Sequence, residues 1–136
     1  MNDNIDVVRG GYADFLNGNI NGVLDRMADQ FEFITAGAPE VPYAGTFRTR
    51  DELAGFFQRM SEEVTMSVFE PREYFAEGDR VITLGRYEGK VNRNGAPFAA
   101  DWAMAWTIKD GKVARMQELA DNPALRHAYA NATANA

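Results

Sequence analysis

Phe98-Ala-Ala-Asp-Trp-Ala-Met-Ala-Trp-Thr-Ile108 is the stretch whose reading decides how this chain folds. Alternate residues separate into a bulky set, Phe98, Ala100, Trp102, Met104, Trp106 and Ile108, and a small set, Ala99, Asp101, Ala103, Ala105 and Thr107. A period of two marks a strand whose faces meet different surroundings. The bulky face is expected against helices. The small face, with its single carboxylate, suits close sheet-to-sheet contact, so a homodimer through that outer face is expected.

Around this strand lie others, near 65–76, 80–91 and 112–120, with the central one running over 96–109. Glu77-Gly-Asp79, Asn92-Arg-Asn-Gly95 and Lys109-Asp-Gly111 supply the turns. Upstream, Ile5, Val8, Tyr12, Phe15 and Leu16 recur at helical spacing and Gly18 ends the run. Asn19 or Asn21 caps a short second helix carrying Val23, Leu24 and Met27, and Phe31-Glu-Phe-Ile-Thr35 reads as a strand. A loop rich in Ala, Gly and Pro covers 36–48. Thr49-Arg-Asp-Glu52 has the capping-box pattern, behind which Leu53, Phe56, Phe57 and Met60 form the stripe of a third helix to about Glu63. Asn122-Pro123 opens a short final helix, and 131–136 reads as a disordered tail. Helices that precede a long meander cover one of its faces. The expectation is an α+β fold over residues 1–130, a cone-shaped roll of three N-terminal helices on a curved, mostly antiparallel sheet enclosing a pocket.

At 136 residues the chain fits one domain with its own core. It has no cysteine and a single histidine, His127, which argues against disulfides, thiolate chemistry and a metal centre. Twenty acidic against 14 basic residues, with no basic run, make nucleic acid an unsuitable partner. No stretch approaches the roughly 18 apolar residues of a membrane span, and MNDNIDVVR lacks a signal-peptide core, so a cytoplasmic protein is expected. The chain offers no phosphate loop, dinucleotide fingerprint or nucleophile motif. Kinases, dehydrogenases and Ser or Cys hydrolases are disfavoured, and no cofactor is expected.

Three ionisable residues interrupt apolar strand faces. In Arg80-Val-Ile-Thr-Leu-Gly-Arg-Tyr-Glu88 the face of Ile82 and Leu84 continues into Arg86 and Glu88. In Val113-Ala-Arg-Met-Gln-Glu-Leu-Ala120 the face of Ala114, Met116 and Ala120 includes Glu118. Burying such groups is costly unless they are paired. If both faces line one cavity, Arg86 holds both glutamates, and repulsion plus desolvation raises the pKa of one, giving a general base and a general acid. The alternatives are an ion-pair network that fixes register in a binding protein, and a cluster that faces outward at the surface.

The hairpin at Lys109-Asp110-Gly111 decides where Glu118 points. A three-residue loop pairs it with Trp102 and turns it inward, whereas a two-residue turn pairs it with Ala103 and turns it outward. The first keeps Met116 and Ala120 buried, and is adopted here. Tyr12 is a hydroxyl donor in the pocket or a core tyrosine. Phe57, Met60, Trp102, Met104 and Trp106 are pocket wall or core, and Tyr43 closes the pocket mouth or anchors its loop. His127 and Glu32 are expected at the surface and Asp101 on the dimer face.

Several strings, Tyr12-Ala-Asp-Phe-Leu-Asn-Gly-Asn19, Met27-Ala-Asp-Gln-Phe-Glu-Phe33, Gly45-Thr-Phe-Arg-Thr-Arg-Asp-Glu-Leu53, Ile108-Lys-Asp-Gly-Lys-Val113 and Asp121-Asn-Pro-Ala-Leu125, resemble the nuclear-transport-factor-two-like superfamily. That superfamily includes ketosteroid isomerase, SnoaL-type polyketide cyclases and limonene epoxide hydrolase, and the resemblance runs from Val7 to about Tyr129. The isomerase pattern implies an oxyanion-binding role for Tyr12. Its general-base aspartate falls near Thr35 and its protonated aspartate near Met104, so the resemblance does not imply that mechanism. The epoxide-hydrolase pattern matches Arg86-Tyr-Glu88 and Glu118, with Glu for Asp, while its water-positioning Tyr and Asn fall at Phe33 and Thr35. The resemblance implies a pocket for a small hydrophobic molecule and cofactor-independent acid/base chemistry of isomerase, cyclase or epoxide-hydrolase type. A non-catalytic binding or sensing module with the same pocket is the second reading, and a protein-partner role through the exposed sheet face the third.

Overall fold

The computed structural model describes residues 3–119 and 122–134, the side chains of 131–134 excepted. Two helices, α1 (Asn4–Leu16) and α2 (Ile20–Asp25), lead into β1 (Met27–Ile34) and β2 (Thr46–Phe47). Helix α3 (Arg50–Glu63) precedes four long strands, β3 (Val64–Glu77), β4 (Arg80–Val91), β5 (Pro97–Lys109) and β6 (Lys112–Leu119), and α4 (Pro123–Ala134) closes the chain. The six strands form one sheet in the order β2-β1-β6-β5-β4-β3, antiparallel except where β1 runs beside β6. The α+β roll expected from the sequence is the observed fold.

Local chemistry accounts for most boundaries. Asn19 caps α2 by accepting from the Gly22 N–H at 3.0 Å. Thr49 Oγ1 accepts from the Glu52 N–H at 3.1 Å, while the Glu52 carboxylate takes the Arg48 N–H rather than that of Thr49, displacing the capping box by one residue. Met27, read above as part of the second helix, instead begins β1 and is fully buried. The loop before α3 contains β2, paired to β1 through Phe33 and Phe47. Helix α4 continues to Ala134, into the stretch read as a disordered tail, whose last two residues lie outside the described ones.

Register corrects the reading of β4. Gly85 pairs with Trp102 and Val81 with Trp106, so the odd-numbered residues share the bulky inner face of β5. Val81, Thr83 and Tyr87 are buried accordingly. Ile82, Leu84, Arg86 and Glu88 do lie on one face, but it is the outer one, opposite Ala105, Ala103, Asp101 and Ala99.

The β5–β6 hairpin matches neither expected register. Asp110 and Gly111 form a two-residue turn with φ of 51° and 75°, as a type I′ turn requires. Ile108 pairs with Val113 and Thr107 with Arg115, leaving Ala114 as an extra bulged residue. The bulge restores the parity that the short turn reverses. Glu118 therefore pairs with Met104 and faces inward.

An aromatic cluster fills the space between helices and sheet. Trp102 stacks on Phe69 with centroids 5.3 Å apart, and Tyr12 meets Trp106 edge-on at 5.5 Å. Gly85 makes room for this: a Cβ there would stand 2.3 Å from Trp102 Cζ2 and 2.6 Å from the Glu70 carbonyl oxygen.

Candidate ligand cavity and its single carboxylate

A cavity of about 100 Å³ lies between α1, α3 and the inner face of the sheet. Of the residues singled out in the sequence, Tyr12, Phe33, Thr35, Tyr43, Phe57, Met60, Met104, Trp106 and Glu118 line it. Trp102 does not: it is buried behind Tyr12, 5.7 Å away, and packs the core.

Glu118 is the one carboxylate among the described lining residues. Its Oε1 accepts the Ala36 N–H at 2.7 Å, where the chain leaves β1. Burial pushes its pKa above the usual carboxylate range, and the Ala36 bond opposes this only in part. The lining guanidinium, Arg26, is committed to Asp14 at 2.8 Å.

Several hydroxyl-bearing residues line the same cavity. Tyr12 Oη donates to Met104 Sδ at 3.2 Å and accepts from Trp106 Nε1–H at 3.2 Å, so its hydrogen bonds are already committed within the core. Tyr87 donates to Asn122 Oδ1. Tyr43 Oη is buried with no hydrogen-bond partner among the described residues. Burial pushes the pKa of all three phenols upward, and the Glu118 charge adds to the effect on each. Thr35 accepts the Gly45 N–H at 2.9 Å and donates to the same residue's carbonyl at 3.3 Å, which fixes the loop carrying Tyr43. Arg126 of α4 grips Glu40 at 2.6 Å and ties the last helix to that loop.

Arg86 and Glu88 are not in the cavity. Arg86 Nε binds Glu88 at 2.7 Å and Nη1 binds Asp101 at 3.3 Å, with the Arg86 and Glu88 side chains 31% and 42% exposed. The expected bridge from Arg86 to both glutamates does not form, because β4 presents these residues to the opposite face. Asp101 lies on the outer face, and His127 is exposed on α4. Glu32 is half-exposed and pairs with Arg48 at 3.1 Å. Sequence reasoning passed over Tyr87, Phe56 and Asn122, all of which line the cavity. The turn at 92–95 carried the signal for Tyr87: four turn residues pair odd positions of β4 with even positions of β5, which places Tyr87 on the bulky side.

Among the described residues, no cluster of His, Cys, Asp and Glu could hold a metal ion, and no helix is long and apolar enough to cross a membrane.

A two-layer roll around an apolar pocket is the arrangement of a known family, and the SnoaL-like domain matches residues 8–116. The chain belongs to the SnoaL-like family. An NTF2-like protein from Burkholderia xenovorans LB400 is 35% identical, over 93% of this chain and 95% of that one, with a TM-score of 0.84. TerC, crystallised with polyporic acid, is 26% identical over 95% and 99% of the two chains, with a TM-score of 0.82. A Catenulispora acidiphila protein with a ketosteroid isomerase-like fold, in complex with trimethylamine, shares the fold at 16% identity, 91% and 92% coverage and a TM-score of 0.74. No curated protein matches the chain.

Proposed function

We propose that this SnoaL-like protein binds a small hydrophobic molecule in the cavity and moves a proton on it, without a cofactor, as an isomerase or cyclase does. The observation that carries this reading is Glu118, a desolvated carboxyl among apolar walls and phenol hydroxyls. One carboxylate suffices for such chemistry, since the group that takes a proton from one carbon can return it to another. Epoxide opening needs a base and an acid together, and with Glu88 on the outer face no second carboxylate lines the cavity among the described residues. Of the described hydroxyls that line the cavity, Tyr43 is the one with no internal partner, and so the donor best able to reach a ligand. That relatives of this fold were crystallised with polyporic acid and with trimethylamine supports a small-molecule pocket. The test is deuterium exchange at the acidic C–H positions of a panel of small cyclic ketones, followed by NMR. Exchange with wild type that is lost in Glu118→Gln supports proton transfer, and equal exchange in both proteins contradicts it.

Non-catalytic binding is the second reading. It is favoured by the Tyr12 hydroxyl, which is spent on Met104 and Trp106. We also propose a cytoplasmic homodimer formed through the outer sheet face, where Phe75 is 54% and Leu119 40% exposed beside Ile82 and Leu84. Light scattering of Leu119→Asp beside wild type checks it: a dimer that becomes a monomer supports the interface, and a wild-type monomer contradicts it.

A further inference from the structure

We propose that the ligand carries a compact organic cation, a tertiary or quaternary ammonium group, held against Glu118 within the aromatic wall of Phe33, Tyr43, Phe56, Tyr87 and Trp106. This rests on the reading of the cavity as a ligand site and names the chemistry it would select.

The first ground is an unmatched charge. An ionised carboxylate in an apolar cavity requires a counter-charge or several donors. Among the described residues Glu118 has one donor, the Ala36 N–H. The lining guanidinium, Arg26, is held by Asp14, and Arg86 lies on the other side of the sheet. The cation that would complete the site is therefore one the ligand brings.

The second ground is the wall. Aromatic rings attract cations through their quadrupoles, most strongly where water is excluded. Phe33 meets Phe56 at 5.9 Å and Trp106 at 6.3 Å, and Tyr43 meets Phe56 at 5.9 Å, so these rings form a continuous lining. The unpartnered Tyr43 oxygen adds a partial negative charge. A volume of about 100 Å³ suits a compact ammonium head rather than an extended chain. The net charge of −6 favours the approach of cations over anions.

A neutral ligand whose acceptor bonds to the Glu118 carboxyl itself would instead select the protonated acid, and pH separates the two cases. Among the described residues, the other titratable groups facing the site are Tyr12 from α1, Tyr87 from β4, Tyr43 from the loop and the Arg26–Asp14 pair; Glu63, which acts on Tyr43 from the end of α3, is ion-paired with Arg59 and Arg93. The three phenols stay neutral, leaving Glu118 as the group that changes.

The experiment titrates the full chain with tetramethylammonium and with tert-butyl alcohol, a neutral probe of similar shape, read by the NMR shift of the Trp106 indole N–H. The expected result is cation affinity at least about tenfold above that of the alcohol, as for a desolvated cation–π and carboxylate site. Cation affinity is expected to rise with pH, and Glu118→Gln, which keeps an acceptor for Ala36, to lose the preference. The pH dependence is read on wild type, so the test survives a variant that fails to fold. Equal or tighter binding of the alcohol, or cation binding that weakens as pH rises, overturns the inference and leaves the pocket reading intact. Binding of neither probe overturns both.

Discussion

The two faces of the β4–β6 sheet carry the same kinds of charged residue and treat them in opposite ways. Outside, Arg86 is paired with Glu88 and Asp101 in a half-exposed network that water can screen. Inside, Glu118 stands among aromatic and aliphatic side chains with, among the described residues, one backbone donor and no cation paired to it. A charge that is paired and solvated is cheap and chemically idle. A charge that is desolvated and unpaired is costly, and its proton affinity is altered. The proposed chemistry accordingly belongs to the inner face, and the proposed assembly to the outer one.

The largest test of that division is kinetic. Glu118→Gln is expected to lower proton transfer by about 10²- to 10⁴-fold, the usual range for a general base, while Glu88→Gln leaves the rate unchanged. Comparable losses from both would break the comparison.

Packing gives the next largest contrast. Trp106→Ala, on the inner face, should cost about 3–5 kcal/mol in chemical denaturation. Gly85→Val should cost about 1–3 kcal/mol or more, because its side chain would meet the Trp102 ring and the Glu70 carbonyl oxygen, and the backbone cannot easily withdraw. Ala103→Val, next to it on the outer face, is expected to be tolerated.

A smaller effect is expected in the pH dependence of stability. Burial raises the folded-state pKa of Glu118 above its ordinary value of 4.5, so the folded protein holds that proton more tightly than the unfolded chain. Its contribution is then fully present below the ordinary value and is lost as pH rises through the folded-state one. Glu118→Gln should flatten that decline in a series of melts, and an identical slope in wild type and variant would contradict it. The smallest effect belongs to Arg86→Ala, which should leave the melting temperature close to wild type.

Element order and the division of β5 into bulky and small faces were legible because alternation over eleven residues reports burial directly. Fine register was not. On β4, Ile82 and Leu84 looked like core, yet β4 turns them outward; Val81, Thr83, Gly85 and Tyr87, a mixture no hydropathy rule selects, form the inner face. At the last hairpin, Asp110-Gly111 is the signature of a two-residue turn, which taken alone would have turned Glu118 to the outside. The bulge at Ala114 reverses that result, and nothing in Val113-Ala-Arg115 announces it. Glu118 was thus placed inside correctly but through the wrong turn, and its partnership with Arg86 failed because the two faces were read independently.

The central claim is that, among the described residues, Glu118 alone brings a desolvated acid to the cavity. Carboxyl-carbon NMR of wild type, assigned with Glu118→Gln, tests it most directly. The account predicts a Glu118 titration midpoint clearly above 4.5. A midpoint at or below that value would mean a solvated or ion-paired carboxylate, and would contradict the account.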